Sequence, residues 1–123
     1  YLLREDRMHP PQAKNPAWQY HDHMHILIIN FNLNDLSRTE YEAVCDEVSS
    51  AFAAVPGLIS KKWLANDETN TYGGVYLWES KQAMLDYQAS ELYESLGSNP
   101  AFANIIATDF ELLSGPSKVT GVS

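Results

Sequence analysis

Four aromatic side chains fall on the second and third predicted strands and on the second predicted helix, where they could bind a flat organic ligand. They are Trp63, Tyr76, Trp78 and Tyr87. Alternate residues of a strand lie on one face of the sheet, so Tyr76 and Trp78 share a face. Rings with hydroxyl and indole N–H groups could line a cavity for an apolar ligand that carries hydroxyls. The same residues are common in ordinary core and interface packing, and the pattern is compatible with both interpretations.

Three histidines alternate along the approach to the first predicted strand, at His21, His23 and His25. In an extended chain, residues two apart are separated by about 6.6 Å and residues four apart by about 13 Å. Two of the three could therefore bind one metal ion, but all three could not. The sequence has no His-Glu-x-x-His or paired-cysteine motif. We expect no metal site, and we expect His25 to reach the rim of the aromatic cavity.

The single cysteine, Cys45, has the acidic neighbours Asp46 and Glu47, whereas a reactive thiolate needs a nearby cation or base. We interpret it as a small buried residue on the apolar stripe of the first predicted helix. The pair Gly73-Gly74 precedes a strand rather than a helix, so it is no phosphate-binding loop. The sequence shows no haem-ligand or phosphate-binding motif, so we expect no cofactor, and it leaves the catalytic residue unknown.

The predicted elements between Met24 and Leu113 follow the order strand, helix, strand, strand, helix, strand. This βαββαβ order is typical of a ferredoxin-like α+β domain with a four-stranded antiparallel sheet. The first strand, over 25–33, is predicted to be buried on both faces, and the first helix runs from the Ser37–Glu40 capping box to just before Pro56. Strands follow over 59–65 and 75–79. The second helix is capped by Ser80 and has its apolar stripe over 85–96, and the last strand spans 104–113.

The domain itself spans residues 24–114, with a different segment on each side. Residues 1–23 contain three prolines without any helical or strand period, which predicts an extended arm anchored by Trp18 and Tyr20. Residues 115–123 are expected to form an irregular tail. In a ferredoxin-like fold both helices cover one sheet face, which leaves the other face apolar and uncovered. We therefore expect a homodimer in which two sheets pack face to face.

Composition limits the choice of partners. The 123 residues carry 8 basic and 16 acidic side chains, a net charge of −8, and only Lys61-Lys62 form an adjacent basic pair. Such a surface repels phosphate backbones, so we expect no nucleic-acid or membrane partner. No apolar run approaches the ~20 residues needed to span a bilayer, and no signal peptide is evident. A single cysteine favours a reducing compartment, so we expect a cytoplasmic protein.

Several short motifs resemble those of the YdhR-like monooxygenase family. They are Pro56-Gly57, Lys62-Trp63, the segment Gly73-Gly74-Val75-Tyr76-Leu77, the strand pair Asn30-Phe31, and the helix residues Leu85 and Tyr87. The resemblance covers roughly residues 25–115, which is nearly the whole domain. One departure is Asn30, which stands where a relative can have a histidine, so a base at that position would be missing here.

The resemblance implies a dimeric α+β barrel related to small oxygenases that oxidise polycyclic aromatic or quinol-type substrates without flavin or metal. Together with the residue pattern, it implies a substrate site built from Asn30, Trp63, Tyr76, Trp78, Tyr87 and His25. Hydrogen bonds from Asn30, a tyrosine hydroxyl or an indole N–H would hold the substrate anion in a dry pocket. Two alternatives stay open. One is a cyclase, isomerase or lyase of polyketide-like compounds on the same barrel, and the other is a ligand-binding or interaction module without turnover.

Overall fold

A computed structural model describes residues 23–121. In chain order the elements are β1 (His25–Leu33), α1 (Arg38–Ala53), β2 (Leu58–Asn66), β3 (Thr71–Trp78), α2 (Lys81–Gln88), α3 (Glu91–Ser98), β4 (Phe102–Glu111) and α4 (Ser114–Val119). The predicted arm, including Trp18, Tyr20 and His21, lies outside the described residues except for its last position, His23. Within the described range, no helix combines the length and apolar character needed to cross a membrane.

The four strands form one antiparallel sheet in the order β2-β3-β1-β4. In the central strand β1, Ile29 lies opposite Gly74 of β3 and Ala107 of β4. The first three helices pack on one face, α1 against β2, α2 against β1 and β3, and α3 against β4. This arrangement confirms the predicted ferredoxin-like βαββαβ fold.

Helix α1 begins where the sequence predicted. The Ser37 hydroxyl accepts a hydrogen bond from the Glu40 amide at 3.1 Å, and the Glu40 carboxylate accepts one from the Ser37 amide at 2.9 Å. These two bonds satisfy donors that a helix start leaves without partners, and they lower the pKa of the Glu40 carboxyl. The helix ends near Gly57, whose φ of 82° suits glycine. A Cβ there would overlap Ala83 at the start of α2, so this glycine lets the turn after α1 approach α2.

Strand β3 begins at Thr71, four residues before the predicted start at Val75. The segment Tyr72-Gly73-Gly74 resembles a turn, yet it continues the ladder with β1, where Tyr72 lies opposite Phe31. Gly73 has a φ of 146°, and a Cβ there would overlap the carbonyl oxygen of Ile29. The glycine is therefore needed for close approach of two strands rather than for a chain reversal.

The second predicted helix is in fact two helices, α2 and α3, separated at Ser90. The Ser90 hydroxyl donates to the Tyr87 carbonyl oxygen at 2.5 Å and accepts from the Tyr93 amide at 3.3 Å. Ser90 therefore ends one helix and caps the next. The predicted irregular tail is also wrong in part, because Ser114–Val119 forms the short helix α4.

The face of the sheet opposite the helices, here called the outer face, is aliphatic. Buried and half-buried residues alternate along β1, so Leu27, Ile29 and Phe31 face the helices and Ile26 and Ile28 lie on the outer face. By the strand register, Val75, Leu77, Ile106 and Phe110 share that outer face. The last two are 63% and 52% exposed. The prediction that β1 is buried on both faces is thus wrong within the single chain, because Ile26 and Ile28 are only half-buried.

Candidate functional site

A cavity of about 190 Å³ lies between the helices and the sheet face that they cover. Four helices or strands each contribute two or more residues to it, and two further strands contribute one each. The lining residues are Phe31 of β1, Tyr41, Val44, Cys45, Val48 and Phe52 of α1, Lys61 and Trp63 of β2, Gly73 and Tyr76 of β3, Leu92, Ser95 and Leu96 of α3, Asn99, and Phe102 of β4. A mainly apolar lining with a few polar groups is typical of sites for small organic ligands.

The register of β2 and β3 places a lysine in this aromatic lining. Lys61 lies directly opposite Tyr76, and Trp63 lies opposite Gly74. A Cβ on Gly74 would come within 2.9 Å of Cε of Lys61 and 3.2 Å of the Tyr76 ring. The glycine therefore leaves the space through which the Lys61 side chain runs across the sheet into the cavity.

Three aromatic rings surround the Lys61 amino group. Its Nζ lies 3.4 Å from the ring centre of Phe52, 3.5 Å from that of Trp63 and 4.7 Å from that of Tyr76. The Phe52 and Trp63 rings themselves meet edge to face, with centres 5.5 Å apart. The negative faces of aromatic rings attract an ammonium group, so the cage can hold the charged form.

Burial acts on Lys61 in the opposite sense. Removal from water disfavours the ammonium form and lowers the pKa of Lys61 to about 7, against a smaller opposing effect of Cys45. Burial likewise raises the pKa of the Cys45 thiol, so this neighbour is neutral near pH 7. No carboxylate in residues 23–121 forms an ion pair with Lys61. Both the amine and the ammonium are therefore accessible near neutral pH.

Two tyrosines behind the lysine extend the polar part of the site. The Tyr87 hydroxyl donates to the Tyr76 hydroxyl at 3.5 Å, and burial raises the pKa of both. The pKa of Tyr87 is about 12, so both groups are neutral phenols at physiological pH. Tyr76 lines the cavity and can donate its own proton to a ligand oxygen.

The structure brings together only part of the predicted site. Trp63 and Tyr76 line the cavity, and Tyr87 lies behind it, against the lining residues Tyr76 and Phe52. Trp78 is fully buried and lies parallel to Tyr76 with ring centres 6.1 Å apart, so it supports the cavity without lining it. Its Nε1 has no hydrogen-bond partner in the described part of the chain. Asn30 lies on the outer face, opposite Gly73 and Ile106, because it alternates with the helix-facing Phe31.

His25 also lies away from the cavity, which corrects the expectation that it reaches the rim. It sits at the start of β1, opposite Trp78 and Glu111, at the far end of the sheet. Its Nε2 lies 2.6 Å from Oδ2 of Asp109, and this contact lowers the pKa of the Asp109 carboxyl. A separate surface cleft beside it includes Lys81 and Glu111. No group of three metal-ligating side chains occurs among the described residues.

Lys61 is the functional candidate that the sequence patterns did not single out. A signal for it existed, because Lys61 and Trp63 are two residues apart on one strand and must share a face. That parity placed a lysine beside an aromatic residue already assigned to a cavity. The adjacent Lys62 takes the opposite parity and is exposed.

Residues 26–123 match the family described as "Putative mono-oxygenase ydhR". The match covers most of the chain and includes every strand and helix described above. The chain therefore belongs to this family, as the resemblance of its motifs predicted. No curated protein matches the chain.

Solved structures with the same fold are distant in sequence. SnoaB, a cofactor-independent oxygenase from Streptomyces nogalater, is 19% identical, with a TM-score of 0.60 over 72% of this chain and 92% of that chain. A protein from Caulobacter crescentus described as a putative antibiotic biosynthesis monooxygenase is 16% identical, with a TM-score of 0.60 over 77% and 94%. MhuD, solved with two manganese protoporphyrin IX molecules in each active site, is 18% identical, with a TM-score of 0.59 over 72% and 94%.

These similarities establish the fold but do not identify the ligand of this chain. One neighbour is a cofactor-independent oxygenase, whereas another holds porphyrins in its active site. Since one fold can carry unrelated sites, the function must be argued from the residues around the cavity of this chain.

Proposed function

We propose that this protein is a monooxygenase that oxidises a small hydroxyaromatic or quinol-type compound without flavin or metal. The observation that carries the proposal is the cavity of about 190 Å³ in which Phe52, Trp63 and Tyr76 surround the half-buried Lys61. Membership of the monooxygenase family and the fold shared with the cofactor-independent oxygenase SnoaB support the same conclusion.

The size of the cavity limits the substrate. An apolar cavity of about 150 Å³ is large enough to bind benzene. A cavity of about 190 Å³ therefore suits a compound of one or two rings. A three-ring anthrone would require the walls on α1 and α3 to move apart. We therefore favour phenols, hydroquinones and naphthols over polycyclic substrates.

The lining suits the chemistry of such a substrate. Electron-rich aromatic compounds react with O₂ far more readily once they have lost a proton, because the anion gives up an electron more easily. A dry cavity with neutral donors, such as the Tyr76 hydroxyl, can stabilise charge on the substrate oxygen. Exclusion of water also protects reactive oxygen intermediates from side reactions.

We also propose that a second copy of the chain covers the outer face of the sheet. The central residues Ile26, Ile28, Val75 and Leu77 form an aliphatic surface that continues to the exposed Ile106 and Phe110. Two such sheets can pack face to face about 10 Å apart, with their side chains interdigitated. The cavity lies on the opposite side of each sheet, so each protomer would keep its own.

Oxygen uptake tests the proposed activity. The metal-stripped protein is supplied with hydroquinones, naphthols and anthrones in air-saturated buffer, and heavy-isotope O₂ traces the oxygen into the product. We expect saturable uptake with the smaller compounds and transfer of one oxygen atom to the product. Trp63→Ala should lower kcat/KM by about tenfold or more, since one ring of the cavity is lost.

Leu113→Ala is the matched control, because Leu113 is 69% exposed and does not line the cavity. It should leave kcat/KM unchanged. Tight binding of naphthols, measured by tryptophan fluorescence, without any oxygen uptake would contradict the monooxygenase and favour a binding module. Preference for anthrones would contradict the size argument.

A further inference from the structure

The Lys61 amino group is a half-buried cation site without a paired anion among the described residues. Its Nζ lies within 5 Å of three ring centres, and no carboxylate of the described residues pairs with it. A buried charge without a partner is costly, and a lysine that only packed could extend to the surface instead. Gly74 leaves the space that directs this side chain into the cavity. Packing alone therefore does not account for the direction that this side chain takes.

We propose that Lys61 is the proton acceptor of the reaction and then the counter-ion of the substrate anion, an inference that rests on the proposed function. The amine takes the proton from the substrate hydroxyl, and the ammonium so formed stays beside the phenolate oxygen. The rings of Phe52 and Trp63 hold the ammonium through their negative faces. The substrate class is thus a hydroxyaromatic compound acidic enough to give up its O–H proton to an amine.

The reaction balances with O₂ as the only co-reactant. For 1-naphthol, the O–H bond breaks and its proton moves to Nζ of Lys61. The naphtholate gives one electron to O₂, and the resulting radical and superoxide join in a C–O bond at the carbon para to the oxygen. The terminal peroxide oxygen takes the proton back from Lys61. Loss of the remaining hydrogen at that carbon and cleavage of the O–O bond then release water and leave 1,4-naphthoquinone. One oxygen atom of O₂ enters the product, and the other leaves as water.

Among the described titratable groups around it, Lys61 is the one that changes its protonation near pH 7. Tyr41 and Cys45 of α1 and Tyr76 of β3 all have a pKa raised by burial, so they stay neutral near pH 7. On α1, Glu42 is exposed and paired with Arg38 at 2.8 Å, and Asp46 is exposed. On α3, Glu91 and Glu94 are exposed. Burial lowers the pKa of Lys61 to about 7, which leaves a large share of free amine in neutral solution.

Kinetics as a function of pH test the catalytic part of the proposal. In the unaltered protein, kcat/KM should rise with pH through about 7, as Lys61 loses its proton. Lys61→Met should lower kcat/KM by about 100-fold and remove that rise, as expected for loss of a general base. Lys61→Arg keeps a cation that cannot accept a proton. The rise of kcat/KM in this variant should therefore move to the higher pH at which the substrate ionises without a base. Lys62→Met, at the adjacent exposed position, should change neither kcat/KM nor its rise with pH.

A binding measurement separates this proposal from the oxygenase itself. 4-Nitrophenol is a one-ring phenol whose phenolate absorbs visible light, so its ionisation in the cavity can be followed without turnover. The unaltered protein and Lys61→Arg should bind the phenolate about tenfold more tightly than the phenol, and Lys61→Met should lose that preference.

The outcomes are distinct. If no compound consumes oxygen but the phenolate preference depends on Lys61, the proposed oxygenase fails and the proton-accepting anion site stands. If Lys61→Met keeps the phenolate preference and the rise in kcat/KM while oxygen is consumed, the oxygenase stands and the role of Lys61 is overturned. Circular dichroism of each variant confirms that the fold is retained.

Discussion

The two faces of the sheet are built from different kinds of side chain. The helix-covered face carries rings and a lysine, represented by Trp63, Tyr76 and Lys61. The outer face carries mainly branched aliphatic side chains, represented by Ile28 and Leu77, with Phe110 on the edge strand β4. Both faces are apolar, so hydrophobicity does not distinguish them. The two faces differ in the shape of their side chains and in the polar groups at the edges of the aromatic rings.

This difference in shape explains what each face can do. Aromatic rings are rigid plates, and a face built from them leaves space between the plates that a ligand ring can fill. Their hydroxyl groups can hold a ligand oxygen, and their faces can hold a cation. Aliphatic side chains interdigitate and leave little free volume, which suits contact with another sheet. The cavity on one face and the interface proposed for the other both rest on the same alternation of residues in β1 and β3.

The largest expected effect concerns the outer face. Ile106→Lys places a charge at a position that is 63% exposed in the single chain, so the protomer should still fold. If a second copy covers this face, the charge would be buried in the interface and the dimer should dissociate. Light scattering coupled to gel filtration should show a change from dimer to monomer.

Val119→Lys is the control for this change, because Val119 is 86% exposed and lies on α4, outside the four strands. It should leave the mass unchanged. If the unaltered protein is already monomeric, the proposed interface between outer faces is refuted. Naphthol affinity in the monomeric Ile106→Lys variant should equal that of the dimer, since the cavity lies on the other side of the sheet.

The second expected effect compares adjacent lysines on opposite faces. In the folded protein the pKa of Lys61 is about 7, below the ordinary value of about 10.4. Between these two values the unfolded chain binds more protons, so the folded state gains stability as the pH rises. Below about pH 7 both states are charged, and the folded state carries the full cost of the buried ammonium.

Lys61→Met removes that cost. The variant should be more stable than the unaltered protein by about 2 kcal/mol near pH 6, and the gain should shrink as the pH rises toward 10. Urea unfolding at several pH values measures the difference. Lys62→Met should show no such dependence, because Lys62 is exposed. A Lys61→Met variant that is less stable at every pH would show that the cation–π contacts outweigh the cost of burial.

Local patterns were sufficient to predict most of the fold. The capping box of Ser37 and Glu40 and the β-branched, aromatic run over 25–33 each depend on residues close in sequence, and the predicted helix and strand are both confirmed. The break at Ser90 was missed because the apolar stripe of Leu85, Ala89 and Leu92 continues through it. A serine inside a stripe resembles a helical position unless its hydroxyl caps the next turn.

The site was less predictable because it depends on register between strands. The contact of Lys61 with Tyr76 requires a pairing that shifts between Leu58 and Ser60, and such a bulge leaves no clear mark in the sequence. Asn30 is a different case, since its parity relative to Phe31 already placed it on the other face. The family motif drew attention to this residue, whereas strand geometry excluded it from the cavity.

The smallest expected effect tests whether the two ends of the helix-covered face are independent. Asp109→Asn keeps the shape of the carboxylate beside His25 but removes its charge. The hydrogen bond with His25 lowers the pKa of the Asp109 carboxyl, so its stabilising charge is present above the ordinary value of about 3.9 and is lost as the pH falls through the lowered value. Thermal melting should therefore show a slightly lower Tm for the variant near neutral pH, with the difference vanishing in strong acid. Naphthol affinity should not change. A fall in that affinity would show that His25 contributes to ligand binding. The three aromatic rings around Lys61 would then be only one part of a longer site.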